Sequence, residues 1–177
     1  MEFHGEYNVS LLSKAVKTSK NIPITVVPIM GAANVRTPER EFLGSFERTC
    51  LCIWWNVSLH LCTIVCNSEE VRDSLEQEPN IKGCLELARN ADIILTSVGS
   101  IVYKSWKSYL STRDLYNLEK KGAIGHIGGH FYDMEGNEVI TPFVNKMIGL
   151  GIEDIKNTEN VICVAGLEMK AEAILGA

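Results

Sequence analysis

Apolar and polar positions along the chain fall into two alternating kinds of stretch. Residues 9–20, VSLLSKAVKTSK, place Val9, Leu12, Ala15 and Val16 at helical spacing with lysines opposite, which predicts a short amphipathic helix. Residues 24–31, ITVVPIMG, are a β-branched run closed by Gly31 and predict a strand buried on both faces. From residue 67, Asn67 or Ser68 caps a helix whose first turn carries Glu69 and Glu70, as the helix dipole favours. Glu78-Pro79-Asn80 interrupts it, and a second segment sets Ile81, Leu85 and Ala88 on one side. Residues 91–99, ADIILTSVG, then predict a second buried strand ending at Gly99. Residues 161–166, VICVAG, predict a third, which runs through Gly166 into the helix former LEMKAEAILGA. Helix, strand and glycine recurring in that order predict an α/β domain.

Three stretches interrupt this rhythm. Residues 32–41 are polar, with Arg36, Pro38 and Arg40, and read as a loop entering a helix. Residues 42–66 show neither period, carry two of the three tryptophans and most of the cysteines, and are apolar and β-prone. Residues 100–121 interleave Tyr103, Trp106, Tyr109 and Tyr116 with Lys104, Lys107 and Arg113. That excursion is either a helix packing its aromatics inward or a lid carrying cations to a phosphate.

Composition narrows the function classes. With 177 residues, 46% of them hydrophobic and 22% charged, the chain has the make-up of one globular domain. A net charge of -5 and a pI near 5.4 argue against nucleic acid as its own partner, because phosphate neutralisation needs a basic face. No apolar run approaches the roughly 20 residues that span a bilayer, and the start, MEFHGEYN, lacks the basic flank and apolar core of a signal peptide. A cytoplasmic protein without a membrane partner is therefore expected. Four of the six cysteines cluster (Cys50, Cys52, Cys62, Cys66), but their spacing is not that of a zinc site. Reduced thiols, no metal and no cofactor are expected.

The chemistry concentrates in residues 122–136, GAIGHIGGHFYDMEG. Five glycines, His126, His130, two aromatics and two acids share fifteen residues. Glycine permits positive φ and close approach to the backbone, and the two histidines could hydrogen-bond a polar ligand from one turn. The same stretch equally fits a tight strand connection ending in a turn at Asp133. Further on, a parallel strand turning through Gly166 into a helix sets free N–H groups at the strand's carboxyl end, where open α/β sheets bind ligands. Lys170 follows in the first turn of that helix; there it either snorkels to solvent or faces an anion.

With these residues in place, the chain resembles the sugar-binding effector domain of SorC/DeoR-type bacterial transcriptional regulators. GAIGHIGGHFYDMEG resembles that family's GAVGxxxGxFFDxxG loop, IGLGIEDIKN its following helix, and VICVAGLEMKAEAILGA its AGGxxKAxAI segment. ITVVPIMG and residues 68–100 are similar to the family as well. The resemblance implies one domain over residues 1–177 with a Rossmann-like, mostly parallel sheet flanked by helices, similar to sugar-phosphate isomerases and deaminases. It implies a phosphorylated sugar as effector, a homo-oligomer, and DNA contact only through a helix-turn-helix domain that these residues do not include. By motif match Lys170 falls on the lysine that contacts ligand phosphate, His126 on a position often acidic and facing the sugar, and Lys107 near a basic phosphate contact. Gly31, Gly99 and Gly166 at strand ends, with Gly128 and His130 in the loop, complete the expected ligand-binding set.

The departures are specific. Leu167 stands at the second glycine of AGG, where it would crowd a ligand near the backbone. Residues 44–65 match nothing in the family although both flanks do, and their content is that of a local reading-frame change. The family continues past the equivalent of Ala177 with another helix, strand and helix, so the resemblance implies a partial effector domain. Three functions follow: a non-enzymatic effector-binding domain, a sugar-phosphate isomerase or deaminase of the same fold, or a fragment without ligand competence. The enzyme needs a positioned carboxylate base, and here the loop offers His126 instead, while Asp133 reads as a turn residue.

Overall fold

The computed structural model describes residues 23–31, 55–57, 62–101, 106 and 109–177. The expected helix at 9–20, the loop at 32–41, most of 42–61 and the side chains of Lys104 and Lys107 lie outside these residues.

Strand β1 (Ile24–Val26) pairs in parallel with β2 (Trp55–Val57), so the β-prone stretch is strand at 55–57, while at 62–66 it forms isolated bridges such as Val65 with Met147. Helix α1 (Glu69–Glu76) starts at Ser68, whose side chain accepts the Val71 N–H at 3.4 Å, with Glu69 and Glu70 in its first turn. Pro79 opens α2 (Pro79–Arg89), a position where its missing N–H costs nothing, and α2 buries Cys84, Leu85 and Ala88. The chain continues through β3 (Ile94–Thr96) and β4 (Val98–Ser100) to α3 (Thr112–Lys120), fixed at its start by a capping box between Ser111 and Asp114. A hairpin of β5 (Gly125–Ile127) and β6 (His130–Tyr132) follows, then the short α4 (Ile152–Lys156) and β7 (Val161–Cys163). A 3-10 turn, Glu168–Lys170, leads into α5 (Ala171–Leu175).

The domain is a mixed α/β fold with three small sheets among the described residues: β1–β2 and β3–β7, both parallel, and the antiparallel β4–β5–β6. The parallel pairing expected from the sequence thus holds in two sheets and gives way in the third. The run expected as one strand over 91–99 is two strands, because the chain changes partner at Ser97: β3 goes to β7 and β4 to the hairpin. Two strands expected to be buried on both faces are instead mostly exposed. β7 is exposed along its length and β1 is exposed at Ile24 and Thr25, whereas β3, in the same sheet as β7, is buried at Ile94 and Thr96.

The largest core cluster joins Ile64, Trp106, Leu118, Phe131, Phe143, Val144 and Met147. Its rings meet edge-on, Trp106 and Phe143 at 6.2 Å and Phe131 and Phe143 at 6.4 Å, an arrangement aromatic quadrupoles favour. A fully buried side chain such as Phe131 or Phe143 contributes roughly 2 kcal/mol by leaving water. On the other face of the hairpin, the Tyr132 hydroxyl donates to the Ala173 carbonyl at 2.5 Å and ties α5 to β6. That bond fixes the segment that carries Lys170.

Candidate functional site

Gly128 (φ 57°) and Gly129 (φ 90°) form the two-residue turn between β5 and β6. Both occupy the left-handed conformation that a turn of this length requires and that glycine adopts without steric cost. Ile127 is paired with His130 and His126 with Phe131. Paired residues share a face and neighbours alternate, so His126 and His130 stand on opposite faces of the hairpin. The expectation that both histidines serve one ligand from one turn is therefore not met, and the reason is the register.

His126 lies on the core face. Its ring centroid is 5.5 Å from that of Trp106 and 5.6 Å from that of Phe131. Across the β4–β5 pair it faces Gly99, and its Nε2 sits where a side chain on Gly99 would start. Nε2 is closed to solvent and has no hydrogen-bond partner among the described residues. Burial, assisted by the nearby Lys170 ammonium, pushes the imidazole pKa down to about 3. His126 is thus neutral at physiological pH and offers a donor and an acceptor in place of a charge. On the opposite face, His130 pairs through Nδ1 with the Glu138 carboxylate.

Lys170 is 3% exposed, so it does not snorkel. It closes the 3-10 turn and is the N-cap of α5, so the α-helix proper begins after it and not before it as expected. Its Nζ donates to the Val98 carbonyl at 2.7 Å. Among the described residues no carboxylate lies within 4.0 Å of Nζ. Burial pulls the lysine pKa down, and the Cys163 thiol beside it opposes that. Cys163 accepts the Val98 N–H; although the residue is exposed at the surface, partial desolvation of its thiol raises its pKa, while that N–H and the Lys170 ammonium pull the other way. Val98 therefore links both groups through its backbone.

The turn that presents Lys170 is unusual. Leu167 has φ 90° and ψ 136°, the one positive φ outside glycine among the described residues. Its carbonyl accepts the Lys170 N–H at 3.0 Å. The N–H groups of Gly166, Leu167, Glu168 and Met169 meet no acceptor among the described residues. Four free donors followed by a buried cation without a counter-charge make a local surplus of positive potential, the arrangement that takes an anion.

The expected ligand-binding residues divide accordingly. Gly99, His126 and Lys170 come together around Val98, and Gly166 lies in the turn between β7 and Lys170. Gly31 is spent on packing: its N–H donates to the Ile148 carbonyl at 3.0 Å, and the Thr63 carbonyl lies where a Cβ would be. Gly128 belongs to the hairpin turn against Ile29 and Ile155, and His130 to the pair with Glu138. Lys107 lies outside the described residues, and Arg113 is exposed in the first turn of α3. The roles of Val98 and Cys163 were not visible in the sequence, since a backbone carbonyl carries no side-chain signature. A cavity of about 420 Å³, walled mainly by Thr96, Val98, Ile127, Tyr132, Ile152 and Cys163, opens nearby. Its lining includes none of Gly99, His126, Gly166 and Lys170 and is mostly apolar, so the polar cluster, and not this cavity, is the candidate anion site. Among the described residues no group of three or more His, Cys, Asp or Glu side chains could hold a metal ion, and no helix is long and apolar enough to cross a membrane.

Comparison with known proteins gives this geometry its context. Residues 4–177 match the family described as "Putative sugar-binding domain", a span that includes the irregular stretch at 44–65. The chain is 31% identical over 107 residues to the central glycolytic genes regulator of Priestia megaterium, covering 60% of this chain and 30% of that protein. It is 24% identical over 179 residues to the transcriptional regulator LsrR of Klebsiella pneumoniae, covering 98% of this chain and 53% of that protein. The full-length sorbitol operon regulator SorC from Klebsiella pneumoniae shares the fold with a TM-score of 0.87 at 20% identity, over 96% of this chain and 56% of that one. The chain thus spans about a third to a half of the two curated regulators. It belongs to the sugar-binding domain family of SorC/DeoR-type transcriptional regulators.

Proposed function

We propose that this domain binds a phosphorylated sugar without turning it over and passes the occupancy of the site to an oligomer interface. Control of DNA then runs through a separate helix-turn-helix domain, in the cytoplasm. The observation that carries the reading is Lys170: a lysine 3% exposed, bonded to one carbonyl, with no carboxylate in ion-pair range among the described residues. A buried ammonium in that position costs stability unless an anion meets it. The free N–H groups of residues 166–169 supply the hydrogen bonds a phosphate needs. Neutral His126, beside Gly99, supports the sugar end, where hydroxyls ask for a donor and an acceptor. We read the parallel pair β3–β7, with helical segments between its strands, as part of a Rossmann-like arrangement similar to that of sugar-phosphate isomerases. The non-enzymatic reading is supported by the acids: Asp133, the nearest candidate base in the loop, accepts the N–H groups of Glu135 at 3.1 Å and Asn137 at 2.8 Å and is a turn residue.

Thermal unfolding across a panel of sugar phosphates, each beside its unphosphorylated parent, tests this. The reading expects a rise in Tm with at least one phosphorylated sugar that its parent does not produce; a flat panel at millimolar concentration contradicts it.

A further inference from the structure

β7 leaves one edge of its sheet open. Its ladder to β3 runs through alternate residues: the Ile94 N–H donates to the Asn160 carbonyl at 2.9 Å, and the Val164 N–H to the Thr96 carbonyl at 2.9 Å. In this register Ile162 carries the bonds between them, so the N–H and C=O groups of Val161 and Cys163 point away from β3. They meet no partner among the described residues. The strand carries no charge and no proline, the usual means of blunting an edge, and its side chains are open, Val161 being 41% and Ile162 49% exposed. Beneath the same edge lies the apolar cavity of about 420 Å³, lined by Val161 and Cys163 of β7, Ile152 and Ile155 of α4, and Ile174 of α5. Parallel strands are ordinarily covered on both faces, and a two-stranded sheet is marginal in water.

We propose that this edge is a dimer interface, in which β7 pairs antiparallel with β7 of a second copy of this chain about a twofold axis beside Ile162. A twofold axis makes the strand its own complement. Val161 of each copy falls opposite Cys163 of the other, so that every open donor on the edge finds an open acceptor. Glu159, the nearest charge before the strand, falls opposite Ala165, and no like charges meet across the axis. Opposite residues share a face, so the apolar lining of one copy's cavity continues onto that of the other. Of the reading above this interface takes up only the oligomer; the ligand plays no part in it, and its failure leaves the sugar-phosphate site standing.

The test is sedimentation equilibrium of the 177-residue chain across about a hundredfold range of concentration. The parent is expected to pass from monomer to dimer. Val161→Pro removes an edge N–H that the ladder to β3 does not use, once in each copy, and is expected to weaken the dimer about tenfold or more. Ile162→Lys and Ile162→Glu each set like charges opposite one another at the axis, and each alone is expected to stay monomeric. Their equimolar mixture sets lysine against glutamate and is expected to recover the dimer. Ile162 is exposed, so either charge is compatible with the fold, and cooperative urea unfolding verifies this for every variant. A parent that stays monomeric throughout overturns the interface, as does a dimer that Val161→Pro and both Ile162 variants leave at the affinity of the parent. A mixture that stays monomeric although both of its components are folded also overturns it, because the two Ile162 positions then do not face each other.

Discussion

The Val98 carbonyl oxygen receives the Lys170 ammonium at 2.7 Å, across 72 positions of sequence. This bond joins the first residue of β4 to the turn after β7, and with Gly99 beside it on β4 and His126 on the adjacent β5 it gathers the candidate site. One carbonyl satisfies one of three N–H donors, so the ammonium is buried with capacity to spare.

Gly99 is required by its neighbour. Because His126 Nε2 occupies the space a Cβ would enter, Gly99→Ala must push the imidazole off β4 or bend the strand. The expected cost is about 1–3 kcal/mol, the range for overpacking, partly offset by the reduced freedom of the unfolded alanine chain. Urea unfolding measures it. A substitution without cost would mean that the ring and the glycine are not in contact.

Acid should destabilise the domain through His126. Its pKa is about 3 when folded and 6.5 when free, so between those values the unfolded chain binds the proton and the folded one does not. The contribution is fully present above pH 6.5 and is lost as pH falls toward 3, at about 1.4 kcal/mol per pH unit for a single group. Unfolding free energies of the parent and His126→Phe between pH 7 and about 4.5 should diverge, the parent falling more steeply. Parallel profiles would place His126 in contact with solvent.

The pair on the far side of the hairpin is expected to be structural. Glu138→Ala leaves His130 without its carboxylate and should cost on the order of 2 kcal/mol, the worth of a hydrogen bond to a charged group. Ligand-dependent stabilisation should survive it, measured as the Tm difference with and without a sugar phosphate. Loss of that difference would show that the two faces of the hairpin act together.

Much of the site was legible because its signals are local. Gly99, Gly166 and Lys170 stand out as glycines closing apolar runs and as a cation misplaced for the helix dipole, and the helix start at Asn67 or Ser68 follows from capping chemistry, whereas Pro79, read as an interruption, opens α2 and Gly99 lies in the middle of β4. What the sequence could not show depends on register and on partners distant in the chain. One residue of pairing decides that His126 and His130 face apart, and nothing in GAIGHIGGHFYDMEG fixes that residue. Likewise, apolar content alone makes β7 look like a buried strand, but only its neighbours decide burial, and β3 is its one sheet partner among the described residues. Leu167 was visible as a departure at a glycine position, and the backbone angle gives that departure its physical content.

Lys170→Met isolates the contribution of the buried ammonium. Replacing a buried, unpaired ammonium with an apolar side chain of similar length is expected to leave the ligand-free protein as stable as the parent or more so. The same change should remove the phosphate-dependent part of binding, about a 10- to 100-fold loss in affinity for the sugar phosphate that stabilises the parent. Calorimetric titration of both proteins with that sugar phosphate and with its unphosphorylated parent separates the outcomes. The account predicts that the parent prefers the phosphorylated form and that Lys170→Met binds the two alike. Retention of the full preference in a stably folded Lys170→Met protein would contradict it.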